Sequence, residues 1–355
     1  LSQQEISIPD VDITAYVLEE VDSHADKPAL IDGPSGRTLT YGQLRDGVAA
    51  FRAGLAQRGF AKGETLAIFM PNLPEYAVAF HGAASAGGHV TTANPLYTAN
   101  ELGHQLRDSK AKFLLTVPPL LDVALAAAED SAVEEVFVLG DDERATPVTE
   151  LLGAAGGETV AIDPDADLAA LPYSSGTTGL PKGVMLSHRN LVANLIQTQE
   201  ALRLGTGDTL IGCLPFFHIY GMTVIMNLGL RGGATIVTMP RFDLGQFLDI
   251  IEEHKATVGF IVPPIALGLA KHPAVEGRDL TSLKLLMSGA APLGSELTGQ
   301  VEERLGCLVI QGYGMTETSP VTHVIPIDPA LNRPGTIGPP LSATECRLVD
   351  PDSGA

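Results

Sequence analysis

The chain has 355 residues, 45% of them hydrophobic and 18% charged, and carries a formal net charge of −20 at pH 7. That length is long for a single core and points to two or more packed subdomains, while the apolar share excludes a disordered chain. The acidity argues against nucleic acid or an anionic membrane surface as partner, but leaves open phosphate binding through local backbone and a few cations.

In chain order, Thr38 to Tyr41 reads as a short strand or cap before a helix from about Gly42 to Arg58, whose Leu44, Val48, Phe51 and Leu55 recur at a helical period. Thr65 to Met70 is an apolar strand, Pro71-Asn72 a turn, Glu75 to Ala86 a helix, and His89 to Thr92 a strand. Thr98 with Glu101 three positions on forms a capping box for a helix ending near Lys110. A strand (Lys112 to Val117), an alanine-rich helix (Leu120 to Glu129) and a strand (Val133 to Leu139) follow. Gly153 to Asp167 reads as a connector, and Val184 to Leu186 as an apolar strand before a helix opened by Ser187. The alternation then resumes. Strands are expected at Thr209 to Leu214, Ala234 to Met239, Gly259 to Val262, Leu283 to Met287 and Leu308 to Gln311. Helices are expected at Ile219 to Leu230 and after the cap Asp243. Strands alternating with helices predict an α/β fold of two packed, doubly wound, mostly parallel sheets in αβαβα layers.

Residues 1–334 read as one large domain of two intertwined α/β subdomains, and 335–355 as the beginning of a β-rich subdomain, with Glu345 to Val349 as its strand. The three cysteines, Cys213, Cys307 and Cys346, have no short spacing, so they read as buried apolar fillers in a reducing cytoplasm. No run reaches the length of a membrane span, and Leu1 to Ser7 lacks a basic-then-apolar leader. A start at Leu suggests that the natural N-terminus lies further upstream.

The stretch Tyr173-Ser174-Ser175-Gly176-Thr177-Thr178-Gly179-Leu180-Pro181-Lys182-Gly183 cannot fill a core, because its few apolar residues follow no period. Glycines let backbone N–H groups approach oxygens, hydroxyls donate and a lysine supplies charge, which suits a polyphosphate. It is not the G-x-x-x-x-G-K-S/T loop: Pro181 replaces the second glycine and Gly183 the hydroxyl residue that would hold magnesium. Three further motifs end strands, where open α/β sheets bind ligands: Pro215 to Gly221, Ser288 to Pro292 and Gly312 to Glu317. In the last, Glu317 offers a hard oxygen ligand for Mg²⁺ and Thr316 a hydroxyl for phosphate.

The segment Ser174 to Gly183 resembles the signature loop of the adenylate-forming superfamily, which comprises acyl-CoA synthetases, beetle luciferases and peptide-synthetase adenylation domains. Tyr313-Gly314-Met315-Thr316-Glu317 matches its Y-G-x-T-E motif. The resemblance implies that ATP is held by Ser174, Ser175, Gly176, Thr177, Thr178, Gly179 and Lys182. It places adenine at Gly289, Ala290, Ala291 and Pro292, with Gln311, Gly312, Tyr313, Gly314, Met315 and Thr316 completing the nucleotide site. Glu317 is implied as the Mg²⁺ ligand, and Lys182, His218, Thr316 and Glu317 as the catalytic set. His218, Ile219, Tyr220, Val224, Met287, Gly289, Gly314, Pro320 and Val321 are implied as the acyl pocket.

By the same resemblance, a carboxylate attacks Mg-ATP to give an acyl-adenylate and pyrophosphate, and coenzyme A then displaces AMP. Amino-acid-activating relatives place an aspartate near Phe217 to Tyr220, and none stands there, which argues against an amino-acid substrate. The run Tyr313 to Val321 is similar to 4-coumarate–CoA ligases, so a hydroxycinnamate–CoA ligase is the expected activity. Thr318-Ser319 departs from their usual Ala-Gly. A medium-chain fatty acyl-CoA synthetase, a luciferase-like enzyme and a nucleotide-binding domain with little turnover are the alternatives. The ribose-binding aspartate and the small C-terminal domain of the family are not in the sequence. The expectation is therefore nucleotide binding with slow adenylation at most.

Overall fold

The computed structural model describes residues 6–153, 159–174, 181–350 and 352–353. Two eight-stranded, mostly parallel sheets form the frame. The first runs in the order Leu186–Ser187, Leu168–Ser174, His89–Thr92, Thr65–Phe69, Ala111–Thr116, Glu135–Val138, Thr146–Pro147, with Lys182–Gly183 also pairing Leu168–Ser174. The second runs Val321–Val324, Leu308–Gly314, Leu285–Ser288, Val258–Ile261, Thr209–Gly212, Thr235–Thr238, Pro28–Asp32, Thr38–Thr40.

The helices form where local chemistry favours them. Thr40 caps Tyr41–Gln57 in a capping box with Gln43, and that helix buries Leu44, Val48, Phe51 and Leu55. Thr98 and Glu101 form the expected box ahead of Ala99–Asp108, and Asp243 accepts from Gln246 N–H at the head of Leu244–His254. Central strands such as Thr65–Phe69 are buried throughout, as parallel strands covered on both faces must be.

Four expectations change. Pro28–Asp32 is a strand that no periodicity announced; it lies parallel to Thr235–Thr238, Leu30 opposite Ile236, so the N-terminal segment belongs to the second sheet. The expected strand over Val184 to Leu186 is two short pairings on Leu168–Ser174, with Gly183 opposite Tyr173 and Leu186 opposite Ala170. The expected helix from Ile219 begins as a π-helix over Tyr220–Asn227 before an α-turn at Leu228–Arg231. Glu345 to Val349 forms no strand among the described residues, because no neighbouring strand satisfies its backbone; Leu348 is 92% exposed.

Among the described residues, the last contact of β type joins His323 to Pro340. Cys213 and Cys307 are buried as expected, whereas Cys346 is exposed because its segment leaves the core. No helix among the described residues is long and apolar enough to cross a membrane.

Candidate active site

The carboxyl ends of the strands converge on a cleft of about 750 Å³, a size suited to a small molecule. It is bordered by Ser174, Lys182, Gly183 and Val184 from the first sheet, and by His218, Ile219, Tyr220, Met287, Gly289, Ala290, Gly312 to Glu317, Pro320 and Val321 from the second. Most of the sequence-predicted residues thus meet in one place, although 143 positions separate Ser174 from Glu317.

The signature loop leaves Ser174 and returns at Lys182, which lie opposite each other in an antiparallel ladder. Ser175, Gly176, Thr177, Thr178 and Gly179 lie outside the described residues. Ser174 Oγ donates to Glu317 Oε1 at 3.0 Å, which joins the two sheets across the cleft mouth. Lys182 is exposed and makes no ion pair with the described residues, so its ammonium is uncommitted. Glu317 sits in a single helical turn, Thr316–Thr318, directly after the strand.

His218 begins the turn into the π-helix. Its Nδ1 accepts the Tyr220 N–H at 3.2 Å, and burial pushes its pKa below the ordinary imidazole value. The neutral ring therefore carries its proton on Nε2 and is a hydrogen-bond donor rather than a charge. The loop itself is tight: a Cβ on Gly221 would fall 2.1 Å from Pro215 O.

A buried asparagine from the other sheet fixes this loop. Asn72 Nδ2 donates to Gly212 O at 2.9 Å and Leu214 O at 2.8 Å, while its Oδ1 accepts Phe216 N–H at 2.7 Å. Thr92 Oγ1 donates to Phe217 O at 2.6 Å. Asn194 likewise grips the backbone of Val321, donating to its carbonyl at 2.7 Å and accepting its N–H at 3.1 Å. Sequence reading missed all three. Asn72 read only as a turn, and the partners of each stand between 125 and 144 positions away.

The apolar end of the cleft is built from fewer elements. Tyr220 Oη donates to Met287 O at 3.0 Å, and burial raises its pKa. Gly289 must lack a side chain, since a Cβ there would meet the Tyr220 ring at 2.8 Å. Ala290 adopts φ +66°, a left-handed conformation that alanine rarely takes and that occurs where a site dictates the backbone.

Four predicted residues do not border the cleft. Ala291 and Pro292 are exposed beyond the turn, and Val224 is packed into the core one turn past Tyr220. Gln311 faces away because strand residues alternate; its Oε1 instead accepts Leu293 N–H at 2.8 Å and braces the turn after Ser288. Tyr313 borders the cleft as expected, 44% exposed and 6.0 Å from the His323 ring.

No cluster of three His, Cys, Asp or Glu able to hold a metal exists among the described residues. This donor set fits Mg²⁺ only in the manner of a cation taken with its phosphates, through one carboxylate, Glu317.

The sequence pattern of AMP-binding enzymes matches residues 17–355. The 4-coumarate–CoA ligase 5 of Oryza sativa subsp. japonica is 39% identical over 99% of this chain and 66% of its own length. The 4-coumarate–CoA ligase 2 of Petroselinum crispum is 38% identical over 96% of this chain and 64% of its own. The chain therefore spans just under two thirds of the length of these relatives. Among solved structures, a long-chain-fatty-acid-CoA ligase from Archaeoglobus fulgidus superposes with a TM-score of 0.92 at 27% identity, over 100% of this chain and 74% of its own. ATP-bound MatB from Rhodopseudomonas palustris superposes at 0.87 with 30% identity, over 98% of this chain and 67% of its own.

Proposed function

This chain belongs to the AMP-binding enzyme family, and we propose that it activates a carboxylic acid with Mg-ATP and passes the acyl group to coenzyme A. The observation that carries the proposal is the junction at the cleft mouth, where the Ser174–Glu317 hydrogen bond and Lys182 stand beside an apolar pocket headed by His218. An apolar slot with polar groups at one end fits an acid whose body is buried and whose carboxylate meets a phosphate.

In the first half-reaction a carboxylate oxygen bonds to the α-phosphorus and the bond to the pyrophosphate oxygen breaks. Two anions approach each other, so the site's task is charge neutralisation rather than proton removal. Lys182 supplies fixed positive charge, and neutral His218 donates from Nε2 without competing for a proton. Mg²⁺ held by Glu317 would neutralise the phosphates. In the second half-reaction the coenzyme A thiol gives up its proton to solvent, its sulfur bonds to the acyl carbonyl carbon, and the bond from that carbon to the AMP phosphate oxygen breaks. The named relatives support an arylacrylate such as 4-coumarate as the acid, and the apolar lining of the cleft supports a medium-chain alkanoate as the second reading.

Single-turnover mass spectrometry with Mg-ATP and a panel of cinnamates, benzoates and graded fatty acids tests this reading. An acyl-AMP from any of them is the expected result. No adenylate from any acid, with ATP still bound, would reduce the chain to a nucleotide-binding unit.

A further inference from the structure

The π-helix Tyr220–Asn227 connects the cleft to the core between the sheets, and its two ends point different ways. Tyr220 and Asn227 stand seven positions apart, which in an α-helix is two turns and would carry both side chains on one face. The wider π turn sets them apart. Tyr220 lines the cleft and donates to Met287 O at 3.0 Å. Asn227 is buried and faces His81, which belongs to the helix Glu75–Ser85 between two strands of the first sheet.

The amide of Asn227 matches the π form. Its Nδ2 donates to Met222 O at 2.9 Å, five positions back, which is the spacing of a π turn. The Leu228 N–H reaches Thr223 O at the same spacing. Met222 in turn donates its own N–H to His218 O at 2.9 Å. One line of hydrogen bonds therefore runs from Asn227 to the residue that heads the apolar pocket. In an α-turn the carbonyl beneath residue 227 would be that of Thr223, four positions back, and Met222 would lose the amide.

The surroundings of Asn227 give it no other direct bond among the described residues. Asn227 Oδ1 and His81 Nε2 are both buried and unpartnered there, while His81 Nδ1 lies 3.1 Å from Thr14 Oγ1. A buried polar side chain is costly unless it makes a bond that an apolar one cannot. Here that bond is the one to Met222 O.

We propose that Asn227 is a positioning residue of this site: its grip on the Met222 carbonyl keeps the segment a π-helix, and the π-helix aims Tyr220 into the cleft. Asn227 touches no substrate and acts through the backbone. The kinetic part of the proposal rests on the ligase reading above.

Asn227→Leu fills a similar space without the amide. Asn227→Ser is the second variant, to be used if leucine prevents folding, because a serine hydroxyl reaches the carbonyl four positions back rather than five. Either should raise KM for the acid about tenfold and leave KM for ATP within about twofold, since a small displacement of a site residue has a large effect. The crystal structure of the variant should show Tyr220 Oη parted from Met287 O. Thr14→Val removes a buried contact of His81 without touching the π-helix, so it should lower the melting point and leave both KM values unchanged. An Asn227 variant that keeps the parent's KM for the acid, or keeps Tyr220 on Met287 O, overturns the positioning role and leaves the ligase reading standing. A Thr14→Val chain whose KM for the acid rises as much reduces the effect to general loosening and overturns it too. A parent chain that forms no acyl-AMP overturns the ligase reading, and the crystal structures then decide the positioning by the Tyr220–Met287 bond alone.

Discussion

The mouth and the far end of the cleft are built on opposite rules. The mouth takes side chains from both sheets, leaves Lys182 and Glu317 exposed, and ties Glu317 alone with a hydrogen bond from Ser174. The far end takes everything from one sheet and its π-helix, buries it, and fixes it by close packing around Gly289 and Gly312. On the ligase proposal, groups that would act on a charged substrate are left free to meet it, and groups that would only sort substrates are locked by the core. Changes at the mouth should therefore alter rate without stability, and changes at the far end should alter acid choice.

The largest effect is expected at the mouth. Glu317→Gln should slow adenylate formation by about 10²–10³-fold, the typical loss for one electrostatic contributor. Its thermal midpoint should stay unchanged, because the side chain is exposed; pre-steady-state adenylation and a melting curve check the two halves together. A melting point that fell with the rate would erase the distinction between the two ends.

Next comes the brace between the sheets. Asn72→Ala would strand the carbonyls of Gly212 and Leu214 and the N–H of Phe216. Removing a buried partner of this kind costs about 1–3 kcal/mol, and denaturant unfolding should show it. The loss of His218 positioning should also lower kcat more than it raises KM for ATP.

A buried histidine outside the cleft provides the control. Burial pushes the pKa of His81 down to about 3 from 6.5, with Thr14 Oγ1 3.1 Å from its Nδ1. The unfolded chain takes up the proton first, so this contribution is whole above pH 6.5 and is lost as pH falls towards 3. Between pH 7.5 and 5 it amounts to about 2 kcal/mol of unfolding free energy. His188 and His218 are shifted the same way by burial. Urea unfolding at the two pH values, with His81→Gln flattening the difference, measures it.

The smallest effect separates two glycines of one strand. Gly312→Ala clashes with the flexible end of Met287 and otherwise makes ordinary contact with His323 O at 3.4 Å, so it should shorten the acyl slot, raise KM for longer acids by about fivefold and leave the fold intact. Gly314→Ala meets Pro320 O at 2.0 Å, a backbone atom that cannot step aside, and should lower stability instead. Acid-chain-length profiles and melting curves of the pair tell packing from specificity.

Much of this was legible in the sequence, and the reason is locality. Thr98 with Glu101, and Asp243 ahead of its helix, announce helix starts because a cap acts within three residues. The motifs ending at Lys182, His218 and Glu317 lie in contiguous residues, so each could be matched to a family motif, and it was that resemblance that assigned them to one site. The tertiary structure alone decided what depends on distant partners. Pro28–Asp32 becomes a strand because Thr235–Thr238 and Thr38–Thr40 flank it, and Glu345 to Val349 pairs with no strand among the described residues. Asn72 and Asn194 look like ordinary turn and helix residues until the backbone they satisfy arrives from the far side of the molecule. The facing of a side chain follows the same rule: Gln311 and Met287 lie within motifs read as one site, and only the alternation of paired strands turns one into a brace and the other into the wall of the slot.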